Sequence, residues 1–362
     1  MTRKQFVYAL LTASLASGCS STPPEQPSFE QTREDLQEYI ASEKVIDDRG
    51  RFREVFCRVL EDHGQDLPDY RHCDEALRTT GHEEGGTGAA VPLDDSKADF
   101  LILMVPGLGW NCFEDWLDLS HSGARHVAQY GYEIRMVPVD GLSGTSNNAR
   151  MIRDFVNELS PEDSDRRLIL MGYSKGAPDI LTALVEYPEL AERVDAMVSI
   201  AGAVGGSPLT EDATQAQANM LTVVPGSRCE KEDGDNDGVN SLRPDVRKNW
   251  MAANPLPPSV EYYSIVTFPE EERVSWALKN SYLLLGETDI RNDTQLVIFD
   301  QFVPESKVIA VANADHWAIA VPVARTHALF GSTLINRNDY PREAFLEALL
   351  RYLEEDISDS DL

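Results

Sequence analysis

Leu168-Ile169-Leu170-Met171-Gly172-Tyr173-Ser174-Lys175-Gly176 is the stretch on which the reading of this chain turns. Four apolar side chains in a row predict a strand buried on both faces. Beyond Gly176, the residues Ala177, Ile180, Leu181, Leu184 and Val185 recur at helical spacing, and Pro178 falls early enough in that helix to be tolerated. The strand therefore breaks into a helix through the pattern G-x-S-x-G. Such a break lifts the serine oxygen clear of the sheet, and the two glycines admit backbone atoms where a β-carbon would clash. The helix N-terminus favours negative charge developing next to Ser174.

Outward from this point the same texture recurs. Continuous apolar runs at 100–105, 132–139, 196–200, 262–268 and 308–312 predict further buried strands, with helical patterns between most of them. Strand alternating with helix predicts an α/β protein with a mainly parallel sheet. The last element starts at Pro341, which suits a first turn, and runs to about Glu355 with Phe345, Leu349 and Leu353 on one stripe. Upstream, 29–81 carries a helical pattern and 81–95 is a Gly-rich polar link.

The chain of 362 residues holds 61 acidic and 32 basic ones, a formal charge of −29. That charge repels phosphate backbones and excludes nucleic acid as a partner. Apolar residues make up 42%, enough for a sizeable core, and the length gives a prior of about two domains. No apolar run reaches the roughly 18 residues that a spanning helix needs.

Around Ser174 the sequence resembles the α/β-hydrolase fold, and within it the bacterial lipases and carboxylesterases. The resemblance covers roughly 99–353. Val105-Pro106-Gly107-Leu108-Gly109 looks like the oxyanion loop, with Pro106 where His is usual. Ser199-Ile200-Ala201-Gly202 through Gly205-Gly206-Ser207-Pro208 looks like a lipase segment that follows a late strand. Asn292-Asp293 and Asp315-His316 come in the expected order, while Lys175 stands where lipases often carry Gln or Met. The resemblance implies helices flanking the sheet, a cap insertion, an ester substrate and no cofactor. It also implies that the backbone N–H groups of Leu108 and Lys175 hold the oxyanion.

A serine hydroxyl becomes a nucleophile when an imidazole takes its proton and a carboxylate orients the imidazole. Of the seven histidines, His316 comes just after a late buried run, where this fold places its base. His63, His72 and His82 lie upstream of the hydrolase region, His121 and His126 precede Ser174, and His327 falls in a helical pattern. For the acid, Pro269-Glu270-Glu271-Glu272 followed by Val274, Leu278, Tyr282 and Leu285 predicts an amphipathic helix stopped by Gly286. That makes 262–268 the preceding strand and Asp293 the carboxylate. Were 282–285 the strand instead, Asp289 would serve, and Asp300 is a third choice. Asp315 is expected to point away from His316.

Between Gly206 and about Ser259 the sequence fits neither strand nor simple crossover, so a cap over the pocket is expected there. Within it Asp233-Gly234-Asp235-Asn236-Asp237-Gly238 matches the first half of a calcium loop. Pro244, however, stands where an EF-hand wants Glu, so a solvated acidic turn is expected and no metal. Lys175 is expected to reach water along its stem, with steering of an anionic substrate as the alternative. Trp110, Phe113 and Trp116 either pack a helix on the sheet or line an acyl pocket.

At the amino end Arg3 and Lys4, an apolar run over 6–15 and Ala16-Ser17-Gly18-Cys19 describe a secretory signal. The last four residues resemble the lipobox of bacterial lipoproteins, with Ala16 where Leu is commoner. That implies cleavage before Cys19, lipids attached to it and, because Ser20 follows, sorting to the outer membrane. The cut removes two cations and no acid, leaving about −31. Four cysteines then remain, in an oxidising compartment. Of their three connectivities the local Cys57–Cys73 bridge around a Gly64 and Pro68 turn comes first, leaving Cys112 with Cys229.

The expected organisation is a signal peptide over 1–18, a tether over 19–31, and a helical extension with its link over 32–95. The hydrolase domain spans 96–356, with a cap at about 206–259 and a helical insertion at about 269–292, and 357–362 is an acidic tail. The expected activity is ester hydrolysis by an exported, lipid-anchored serine hydrolase. Amide cleavage, acyl transfer by the same groups, or an anchored binding module of this fold are the readings left open.

Overall fold

The computed structural model describes residues 36, 38–40, 44–110, 123–211, 234–326 and 328–359. Its seven strands are β1 (Ile46–Asp47), β2 (Phe100–Val105), β3 (Glu133–Met136), β4 (Arg167–Tyr173), β5 (Val194–Ile200), β6 (Glu261–Thr267) and β7 (Lys307–Ala312). They form one sheet in the order β1-β7-β6-β5-β4-β2-β3. Every pairing is parallel. The helices of eight or more residues are α1 (Arg49–Asp62), α2 (Thr145–Asn157), α3 (Gly176–Glu186), α4 (Pro244–Ala253), α5 (Lys279–Gly286) and α6 (Arg342–Asp359).

The apolar runs become strands because both sheet faces are covered. Alternate residues of each run point to opposite layers. Ile102, Ile169, Met171, Val198, Ile265 and Ile309 share a core with Phe52, Phe56 and Val59 of α1 and Phe345, Leu349 and Leu353 of α6. Leu101, Leu103, Leu168, Leu170 and Met197 share the other with Ala149, Ile152 and Val156 of α2 and Ile180, Leu181 and Leu184 of α3. Each large side chain buried this way contributes about 1.5–3 kcal/mol relative to exposure.

Three expectations need correction. The segment expected as a helical extension is part of the sheet and its core: β1 pairs with β7, with Ile46 opposite Lys307, and α1 lies in the same layer as α6. Two residues are too short a run to show strand periodicity. The helix expected over 269–285 is broken into 3-10 turns at Glu271–Arg273 and Trp276–Leu278, and only α5 is α-helical. The break follows from Ser275, whose backbone N–H is taken by Asp315 Oδ2 at 3.0 Å and not by a helical carbonyl. Lastly, the segment expected as a cap contains α4, which lies between β5 and β6 as a crossover helix and packs Trp250 and Met251 against the core that α2 and α3 share with the sheet. Pro244 opens that helix, where a missing N–H does no harm.

Cys57 and Cys73 are bonded, with Cα atoms 5.2 Å apart. Cys112, Cys229, the signal segment, Cys19 and the tether lie outside the described residues. Among the described residues no helix is long and apolar enough to cross a membrane.

Candidate active site

The site forms at the carboxyl ends of β4, β6 and β7. At the end of β4 the backbone turns sharply: Ser174 has φ of 53°, a left-handed conformation that strains a residue with a β-carbon. The turn holds because both main-chain polar groups of Ser174 are engaged. Ser174 N–H donates to Ile200 C=O at 3.1 Å. Its own carbonyl, which Pro178 cannot serve, accepts from Ala177 N–H at 3.2 Å and Ala203 N–H at 3.0 Å. The flanking glycines are required by close approach: a β-carbon on Gly172 would sit 2.6 Å from Ala177 N, and one on Gly176 2.0 Å from Val105 O.

Ser174 is only partly buried, and its Oγ lies 2.9 Å from His316 Nε2. His316 follows β7 and is 3% exposed. Its Nδ1 lies 2.7 Å from Asp293 Oδ2. A buried carboxylate can only accept, so Nδ1 carries the proton and Nε2 is left with a lone pair facing the serine hydroxyl. The ring is braced further by its own backbone, since Tyr173 Oη donates to His316 C=O at 2.8 Å.

Asp293 is fully buried, and four donors replace water around it. Oδ1 accepts from the N–H groups of Gln295 at 2.9 Å and Leu296 at 2.8 Å. Oδ2 accepts from His316 and from Thr267 Oγ1 at 2.6 Å. The loop that carries it is tight: Thr294 has φ of 87°, and Asn292 Oδ1 accepts the Thr294 N–H at 3.0 Å. Asp289 and Asp300 are elsewhere. Asp289 pairs with Arg291 at 2.7 Å, and Asp300 with Lys248 at 3.0 Å. Asp315 points away, accepting backbone N–H groups from Ser275, Trp317 and Ala318. Burial, reinforced by the charge of Asp293, raises its pKa.

Neither Leu108 nor Lys175 has its backbone N–H taken by an acceptor among the described residues. The loop bearing Leu108 is hung on the turn after β3, through Gly109 N–H to Gly141 C=O at 2.8 Å. The Lys175 side chain corrects its expectation, because it neither reaches water nor faces a substrate. It is 1% exposed, and Nζ bonds both oxygens of Asp179, at 2.7 and 2.9 Å, four residues along α3. Asp179 Oδ2 also accepts from Asn148 Nδ2 at 2.7 Å, and the same Asn148 group reaches Asp140 C=O at 3.0 Å. Burial raises the pKa of Asp179 against the pull of Lys175. The same desolvation lowers the neighbouring Arg247 to about 10.

Thr267, Gln301, Tyr173, Asp179 and Asn148 were not singled out from sequence as parts of this neighbourhood. The one available signal was Thr267, a polar residue next to the end of the apolar run 262–268. Trp110 lines an apolar cavity of about 90 Å³ with Pro106, Tyr173, Ile319 and Phe345, while Phe113, Trp116, His121 and His327 lie outside the described residues. His126 and His63 both contact Glu347, on α6. In the acidic turn Asp233 is outside the described residues, and the exposed Asp235 accepts from Gly144 N–H at 2.8 Å. Among the described residues no cluster of acidic, His or Cys side chains is arranged to hold a metal ion.

No protein-family model matches the sequence, and no curated protein matches it either. Solved structures do. The metagenomic carboxyl esterase MGS0156 is 34% identical, with 96% of this chain and 99% of that one covered and a TM-score of 0.78. The Bacillus licheniformis lipase BlEst2 in its mature form is 20% identical over 68% of this chain and 95% of its own, with a TM-score of 0.50. EstA from Clostridium botulinum is 12% identical over 88% and 98%, also at 0.50. The last two share the fold. The first, at this identity and almost end to end, shows more: the chain belongs to the carboxyl esterases, serine hydrolases of ester bonds built on the α/β-hydrolase fold.

Proposed function

We propose that the chain hydrolyses carboxylic esters through an acyl-enzyme on Ser174, with His316 as base and Asp293 as the group that orients it. The observation that carries this reading is the unbroken hydrogen-bonded line Ser174 Oγ, His316 Nε2, His316 Nδ1, Asp293 Oδ2. As Ser174 attacks the ester carbonyl, His316 takes its proton and Asp293 stabilises the imidazolium. The unclaimed N–H groups of Leu108 and Lys175 receive the oxyanion. His316 then protonates the departing alkoxide, and a water repeats the sequence to free the acid. No cofactor takes part in these steps.

The same proposal includes export and attachment to the outer membrane by lipids on Cys19, supported by the residues around that cysteine. The largely apolar surroundings of Pro106, Tyr173 and Ile319 favour an uncharged acyl group over an anionic one; Lys175 is engaged with Asp179, and Arg342, which lines the same cavity, donates to Asp69 and to the Val321 and Asn338 carbonyls. A fluorophosphonate should label Ser174 in the wild type and nothing in Ser174→Ala, and p-nitrophenyl esters should be cleaved in preference to the matching anilides. Absence of labelling in folded wild type overturns the enzymatic reading. The mass of the mature amino-terminal peptide tests the anchor, with loss of lipid in Cys19→Ser.

A further inference from the structure

We infer that Thr267 is a positioning residue for ester hydrolysis: its hydroxyl holds Asp293 Oδ2 against His316, and Gln301 locks Thr267 for that task. The inference rests on the reading of Ser174, His316 and Asp293 proposed above. Thr267 ends β6 and is fully buried, as are Gln301 and Asp293. Its hydroxyl has one proton and two acceptors within reach, Asp293 Oδ2 at 2.6 Å and Gln301 Oε1 at 3.1 Å.

The orientation of Gln301 decides between them. Gln301 Oε1 accepts the Thr267 backbone N–H at 2.7 Å, and Gln301 Nε2 donates to Thr267 C=O at 3.0 Å. The amide thus reads both main-chain groups of one residue, and turning it over would set N–H against N–H and oxygen against oxygen. With Oε1 already occupied by the backbone, the hydroxyl proton goes to the nearer, charged acceptor. Oδ2 of Asp293 is then fixed between two donors, Thr267 on one side and His316 on the other. Oδ1 cannot take its place, because the N–H groups of Gln295 and Leu296 hold it. Without Thr267, Oδ2 depends on His316 alone, the one partner whose charge changes during the reaction.

The test compares Thr267→Val, which is nearly isosteric and lacks the hydroxyl, with Thr267→Ser, which keeps it. Concentrations are set by active-site titration so that only folded enzyme is counted. Thr267→Val should lose about 10- to 100-fold in kcat with KM nearly unchanged. The far-downfield proton resonance of His316 Nδ1–H, assigned by its absence in His316→Ala, should move or broaden in the same variant. Thr267→Ser should recover most of both effects. A wild-type kcat together with an unmoved resonance in Thr267→Val overturns the inference, as does a Thr267→Ser variant no better than Thr267→Val. Should Thr267→Val fail to fold, Thr267→Ala carries the same two readouts. Ser174→Ala separates the levels: if it still hydrolyses esters the parent reading fails, whereas if it is inactive and Thr267→Val is normal, only this inference fails.

Discussion

His316 is joined to Asp293 twice, ring to carboxylate at 2.7 Å and backbone N–H to backbone carbonyl at 2.8 Å. The loops after β6 and β7 are therefore registered by main chain before any side chain is considered. The ring nitrogen meets its carboxylate with little freedom left to lose, which is the preorganisation that acyl transfer requires.

Ser174→Ala and His316→Ala should each lower kcat by several orders of magnitude, and the double variant should be little worse than either single one, because the two groups act as a unit. Single-turnover hydrolysis of a p-nitrophenyl ester measures this. Full additivity of the two losses would mean that the groups work independently.

Asp293→Asn should lower kcat by about 10³–10⁴-fold with the fold intact, since the amide can hold the wrong tautomer of His316. Asp289→Asn and Asp300→Asn should leave the rate near wild type, because their carboxylates are committed to Arg291 and Lys248. Steady-state kinetics on the three variants ranks them, and a reversed ranking would move the acid.

The pair of Lys175 and Asp179 should behave as a buried ion pair. Asp179→Ala leaves the Lys175 ammonium without its partner and should destabilise the protein by about 3–5 kcal/mol. Replacing both, as Lys175→Met with Asp179→Leu, should be less harmful than Asp179→Ala alone. Urea unfolding of the single and double variants gives the comparison.

Glu354 supplies a pH dependence with a definite sign. Burial opposes its ionised form, but Tyr132 Oη, Ser96 Oγ and the N–H groups of Lys97 and Ala98 outweigh that and hold its pKa below the ordinary 4.5. A carboxyl lowered in the folded state contributes stability above its unfolded pKa and loses it as pH falls through the folded value. Stability should therefore drop as the medium is acidified below about pH 4.5. The drop should be smaller in Glu354→Gln, which should also be less stable at pH 7. Urea midpoints at pH 7 and pH 4 for both proteins settle the sign.

The Cys57–Cys73 bridge takes no part in the hydrogen bonds that join Ser174, His316 and Asp293, so the effect of removing it should fall on stability. The chain-entropy model for a loop of 16 residues gives about 3 kcal/mol. Cys57→Ser with Cys73→Ser should unfold at lower urea with kcat unchanged.

The sheet and the sharp turn at Ser174 could be read in advance because both rest on local signals: apolar runs of strand length and a pentapeptide at a strand end. His316 and Asp293 could be placed by chain order. What could not be read was the second rank of contacts. Thr267 meets Asp293 across 26 residues and Gln301 across 34, and no period links such positions. Lys175 misled for a related reason: an exposed lysine and one paired at i,i+4 with a buried Asp179 look alike until the packing of α3 is known. The helix expected before Asp293 failed because Ser275 N–H found a tertiary acceptor that outcompeted the helical one.

The β1 strand carries a consequence for the order of folding. Among the described residues its neighbour in the sheet is β7, about 260 residues later, so this edge stays unmade until β7 has been synthesised. The seat of α1 is completed equally late, by the C-terminal α6. A nascent or partly threaded chain would thus hold its central strands without either finishing piece, and β1 and α1 would dock only after segments made long after them.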